Sequence, residues 1–157
     1  MLMLLGSRRV VALGSTLFAL GLWLLNGAWV TAGHAASSMT VREHVTLKLV
    51  KRTGSTAFEH TGHATGTVAG SVRSRITLTH SVVLRGTVTI TTSHGKLRLK
   101  VDGRARSISL RSRFSGAASI AGGSGRYAHA KGSGSFNGVV NRSTWAATLD
   151  ASGSFSY

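Results

Sequence analysis

The chain has 157 residues, with 19 Lys and Arg against four Asp and Glu, and it contains no cysteine and no proline. Those absences exclude a disulfide scaffold, a cysteine-ligated metal centre, a lipid-modified cysteine anchor and proline-rich linkers. A formal charge of +15 points toward anionic partners, either envelope polymers or lipid headgroups.

The first element is an export signal. Arg8 and Arg9 precede an uncharged apolar run, VVALGSTLFALGLWLLNGAWVTAG, which ends in the small-residue stretch TAGHA. Gly33 and Ala35 occupy the positions a signal peptidase requires, so residues 1–35 are expected to form a cleaved signal helix and residues 36–157 the mature domain. The run is also long enough for a membrane anchor, which takes about 20 residues. Either topology leaves the remainder outside the cytoplasm, secreted or associated with the cell envelope. Ser7-Arg8-Arg9 matches part of the twin-arginine motif, although Val11 stands where that motif carries Phe.

Beyond residue 35 the pattern has period two. Strands are expected near Val41–Lys51 and His63–Val72, separated by a loop RTGSTAFEHTG. VRSRITLTH, LRGTVTITT and GKLRLKVDG follow, each apolar on one face and basic or hydroxylic on the other. In residues 108–120 Ile108, Leu110, Phe114 and Ile120 share a face against Ser109, Arg111 and Arg113. In residues 143–157 Trp145, Leu149, Phe155 and Tyr157 do the same. Turns are expected at Ser93-His94-Gly95, Asp102-Gly103, Gly122–Gly125 and Asn141-Arg142-Ser143.

About eight strands with short connections describe an all-β antiparallel meander, and closure into a barrel would remove its edges. The apolar faces suit a core. A transmembrane barrel needs the reverse, and each outward Arg98, Lys100, Arg111 or Arg113 would cost about 2–4 kcal/mol at the bilayer midplane.

GSGRYA fits a loose G-x-G-x-x-[GA] pattern, but no helix follows to face a pyrophosphate, so no nucleotide cofactor is expected. Gly132, Gly134 and Gly138 instead share one strand face with Phe136. Their missing side chains leave space for Tyr127, Trp145 or Phe155, or for a ligand.

The segment GGSGRYAHAKGSGSF resembles the signature of the allene oxide cyclase/dirigent-like barrels, a calycin-like architecture. Gly122, Gly123, Ser124, Gly125, Tyr127, Gly132 and Gly134 carry the resemblance over about fifteen residues, with Gly153, Phe155 and Tyr157 resembling the last strand of secreted bacterial relatives. General strand order extends it over most of 64–157. The resemblance implies an eight-stranded barrel with a central cavity. Plant members are cyclases or guide radical coupling, and are often oligomeric. Their catalytic acids have no counterpart in this chain.

Candidate lumen residues are therefore His80, Tyr127, Phe136, Trp145 and Phe155, with a small apolar ligand. Candidate polyanion contacts are Arg73, Arg75, Arg85, Lys96, Arg98, Lys100, Arg111 and Arg113 on the outer face. No aromatic platform is interleaved with them, which disfavours nucleic acid. Glu59-His60-x-x-His63 lacks the zincin spacing, and on a strand its histidines would point to opposite faces; a solvated loop is expected, with no metal. No G-x-S-x-G elbow occurs, and no catalytic residue is assigned. The expected function is an exported, non-enzymatic barrel that binds an apolar ligand inside, anionic envelope polymers outside, or both. A cyclase- or dirigent-type enzyme and a ligand-free structural envelope protein are the alternatives, and a homo-oligomer is compatible with all three.

Overall fold

The computed structural model describes residues 38–157. The signal expected over 1–35 lies outside the described residues. The chain runs through β1 (Met39–Thr53), β2 (Ala57–Gly66), β3 (Gly70–Thr79), β4 (Val83–Thr92), β5 (Gly95–Ala105), β6 (Arg111–Gly125), β7 (Lys131–Asn141) and β8 (Ala147–Ser156). Each strand pairs antiparallel with the next, and β8 returns to β1, from Met39 opposite Phe155 to Leu47 opposite Ala147. The result is a closed eight-stranded antiparallel barrel.

Period two explains which face turns in. Val45 and Leu47, Val72, Ile90 and Leu97 are buried, while Lys48, Arg73, Thr91, Arg98 and Lys100 between them are exposed. Every residue of the hydrophobic core lies between Met39 and Phe155. Loops 54–56, 80–82, 106–110 and 142–146 close one end, called the mouth here; loops 67–69, 93–94 and 126–130 close the other, the floor.

Several sequence expectations are corrected. RTGSTAFEHTG is mostly strand, because only 54–56 turns and β2 begins at Ala57. The strand expected at His63–Val72 spans the turn between β2 and β3. Gly122–Gly125 stays in β6, and the chain turns at 126–130 instead. Asp102-Gly103 is strand interior. A β-carbon on Gly103 or Gly116 would stand 3.0 or 2.6 Å from the Phe136 ring, so these glycines face the interior to admit that ring. Phe114 covers Gly138 in the same way, whereas Gly134 and Gly153, opposite each other in register, are left uncovered. The space over the glycines is thus filled in part, by Phe114 and Phe136, and open in part.

Ile108 and Leu110 do not enter the core; they are 71% and 63% exposed. The ladder between β5 and β6 ends where Arg106 N–H donates to the Arg113 carbonyl at 2.8 Å. Serine hydroxyls then bend the chain away from the sheet: Ser112 Oγ donates to the Ser107 carbonyl at 2.5 Å, and Ser109 Oγ to the Arg111 carbonyl at 3.0 Å.

Candidate functional site: an apolar lumen with two polar ends

The barrel encloses a cavity of about 190 Å³. Apolar side chains from all eight strands line it, among them Val41, Leu84, Val88, Leu99, Ala118 and Leu149. A dry apolar cavity of about 150 Å³ is enough to take benzene, so this lumen has the volume for a small hydrophobic molecule.

Polar groups touch the lumen at its ends. Toward the mouth, His60 on β2 points inward between Phe58 and Gly62 and is buried. Its Nε2 lies 3.1 Å from the Trp145 carbonyl, and its Nδ1 lies 3.2 Å from Ser74 Oγ on β3. A carbonyl only accepts, so Nε2 carries the proton and Nδ1 accepts from the serine hydroxyl. Burial holds the His60 pKa below the ordinary value, against a smaller upward pull from the Trp145 carbonyl. At pH 7, above even the ordinary histidine value of 6.5, the neutral imidazole is therefore favoured.

Toward the floor, Glu43 on β1 is buried. Its Oε1 accepts from the Val68 N–H, while its Oε2 is buried without a partner. Burial raises the Glu43 pKa, and hydrogen bonds from Val68 and Thr67 act in the opposite direction. The folded protein therefore holds this proton more tightly than the unfolded chain does. That contribution to stability is complete at pH below 4.5 and is lost as pH rises through the raised folded value. Glu43→Gln should flatten that decline; each unit of raised pKa corresponds to about 1.4 kcal/mol. Urea midpoints measured from pH 4 to 8 on both proteins check it, and parallel curves would refute it.

The mouth is covered by stacked rings and two arginines. Trp145 lies on Phe58 with centroids 4.1 Å apart, and the Arg52 and Arg142 guanidinium carbons sit 5.5 and 5.6 Å from its ring centroid. Arg142 Nη2 donates to the Ser81 carbonyl at 2.7 Å and to the Ser107 carbonyl at 3.3 Å, and its backbone N–H donates to the Leu110 carbonyl at 2.8 Å. This residue ties the β7–β8 loop to the β3–β4 and β5–β6 loops across the opening. At the floor, Tyr127 packs under Phe155 with centroids 6.3 Å apart, and Tyr157 meets Tyr127 edge-on.

Of the expected lumen residues, Phe136, Trp145 and Phe155 line the cavity. Tyr127 is buried beneath it, outside the lining. His80 is corrected: it is exposed, with φ of 49°, at the corner of a hairpin in which Ser81 also has positive φ and Val82 N–H bonds back to the Thr79 carbonyl. A primed turn places both central residues at the rim, facing away from the sheet interior. The Glu59–His63 segment is strand rather than loop, with His60 inside and His63 outside. Among the described residues no cluster of three His, Asp or Glu is placed to hold a metal ion. Sequence reasoning missed His60, Ser74, Glu43 and Arg142 as lumen groups; His60 at an inward position of an alternating strand was the available signal.

The eight expected polyanion contacts fall into two groups. Arg73 and Arg98 flank Thr89 in register, and Arg75 and Lys100 flank Thr87, with Lys96 alongside, so these five share one face of β3–β4–β5. Arg75 is engaged by Glu59 at 3.3 Å. Arg85 is paired with Asp102 at 2.9 Å, and that pair separates the face from Arg111 and Arg113 nearer the mouth. Arg104 and Arg106, which the sequence reading passed over, belong with that second group.

No family model, curated protein or solved structure matches the chain.

Proposed function

We propose that this chain is an exported, non-enzymatic barrel that holds a small apolar ligand in its lumen. The carrying observation is the 190 Å³ cavity walled by aliphatic side chains and bounded by a neutral His60–Ser74 pair and the Glu43 carboxyl. Such a lining suits a largely hydrophobic molecule with one hydrogen-bonding group at an end. A cyclase-type reaction calls for an acid and a base acting together. Here His60 is paired with Leu49, six residues along β1 from Glu43. At about 3.3 Å per residue their backbone positions are roughly 20 Å apart along the barrel wall, and neither side chain is hydrogen-bonded to the other. A ligand-free structural role would call for a filled core, which Gly134 and Gly153 leave open.

Ala118 faces the lumen from β6, opposite Val101 and Gly134. Ala118→Phe places a phenyl ring in the space where a ligand would sit, at an overpacking cost of about 1–3 kcal/mol. Benzene and indole uptake, followed by NMR shifts of lumen methyl groups, should fall at least tenfold in this variant, with Ala118→Leu intermediate. No uptake by the parent protein, or equal uptake by all three, would overturn the proposal.

A further inference from the structure

We infer that the mouth end docks on an anionic lipid bilayer, with Ile108 and Leu110 inserted among the acyl chains and Arg104, Arg106, Arg111 and Arg113 on the headgroups. This goes beyond the lumen and stands whether or not the lumen takes a ligand.

Ile108 and Leu110 are two of the most exposed large apolar side chains among the described residues, and Val50, 63% exposed, projects near the same end from β1. The loop that carries the pair is held at three points: Arg106 to Arg113 at its base, Ser112 to Ser107, and Arg142 to Leu110. The side chains are therefore presented outward on a clamped backbone instead of folding back over the barrel. Exposed apolar groups on a basic rim are the two signals that stable interfacial binding combines, since one apolar anchor alone binds marginally.

Charge selects the occupant. Loops 54–56, 80–82, 106–110 and 142–146 contain no Asp or Glu. The nearby carboxylates of Asp102 and Glu59 are already engaged by Arg85 and Arg75. A second copy related by a two-fold axis would oppose this arginine rim to itself. A soluble polyanion would use the arginines and leave Ile108 and Leu110 in water. An anionic bilayer satisfies both sets, and it places Trp145 at the interface depth that tryptophan favours. The covered mouth would then face the membrane, so an apolar molecule could pass between bilayer and lumen without crossing bulk water.

The chain has no cysteine, so Ser109→Cys in the full chain gives a single attachment point for a polarity-sensitive fluorophore. Ser93→Cys in the β4–β5 turn, at the floor, is the control. With phosphatidylcholine vesicles containing phosphatidylglycerol, the label at 109 should shift to the blue and be quenched by brominated acyl chains, while the label at 93 should not. Pure phosphatidylcholine should give at least a tenfold weaker response, and so should Arg106→Ser with Arg111→Ser on the mixed vesicles. Equal signals at 109 and 93, no shift at 109, or equal response to both vesicle types would overturn the inference. Binding of a soluble polyanion that survives Ile108→Ser with Leu110→Ser, combined with no shift at 109 on vesicles, would assign the arginines to a polymer and also overturn it. A lumen that fails to take benzene leaves this outcome untouched, so the two proposals fail separately.

Discussion

Phe136→Ala should cost about 3–5 kcal/mol of folding stability, read as a fall in the guanidinium midpoint at unchanged slope. Phe136 is 6% exposed, and its ring lies over Gly103 of β5 and Gly116 of β6. It also packs at a tilt on Phe114, with centroids 6.1 Å apart. Two of the walls around the ring are glycine backbone, which carries no side chain to relax into the hole. The lost volume therefore joins the existing cavity instead of collapsing. Benzene should then recover part of the loss, because a ligand that binds only the folded state raises its stability. A midpoint shift below about 1 kcal/mol, where truncation of a buried ring ordinarily costs several, would show that the ring is not a core element.

Arg142→Met should cost roughly 2–3 kcal/mol, the scale of charged hydrogen bonds to backbone carbonyls, and should speed ligand exchange at least tenfold. Methionine retains most of the apolar stem over Trp145 but removes both side-chain bonds across the opening. The three non-glycine residues with positive φ among the described residues, His80, Ser81 and Trp145, all sit in the loops this arginine joins. Each holds a conformation that its surroundings must enforce. Without the guanidinium those loops should open more often. Trp145 is the one tryptophan beyond residue 35, so acrylamide quenching of a protein lacking the first 35 residues reports that opening directly. Unchanged quenching together with unchanged exchange of benzene would refute a closing role for Arg142.

The strands were visible in the sequence wherever alternation was unbroken. LRGTVTITT and GKLRLKVDG read correctly because burial on one face imposes period two on a residue's immediate neighbours. The failures share a cause. Asp102-Gly103 carries a turn signal, yet its glycine answers to a phenylalanine on β7, which local pattern does not register. SISLRSR alternates as a strand does throughout, but hydrogen bonds of the Ser107, Ser109 and Ser112 hydroxyls to backbone and to one another accompany a loop over its first four residues, and only Arg111–Arg113 belong to β6. His60 looked like part of a polar loop because its partners, Ser74 and the Trp145 carbonyl, lie 14 and 85 residues away. The cationic outer face was visible as a composition, but its division into two groups was not. That division depends on Arg85 finding Asp102 across the β4–β5 ladder.

Closure of the ring by β1 and β8 also sets an order of events. Seven of the eight ladders join strands adjacent in sequence and can form by local zipping; the eighth joins the first strand to the last. Until β8 has been made, β1 and whichever strand is newest each expose an unpaired backbone edge, the feature that invites pairing with another chain. The interval before β8 closes the ring on β1 is therefore when the chain is most open to pairing with another copy.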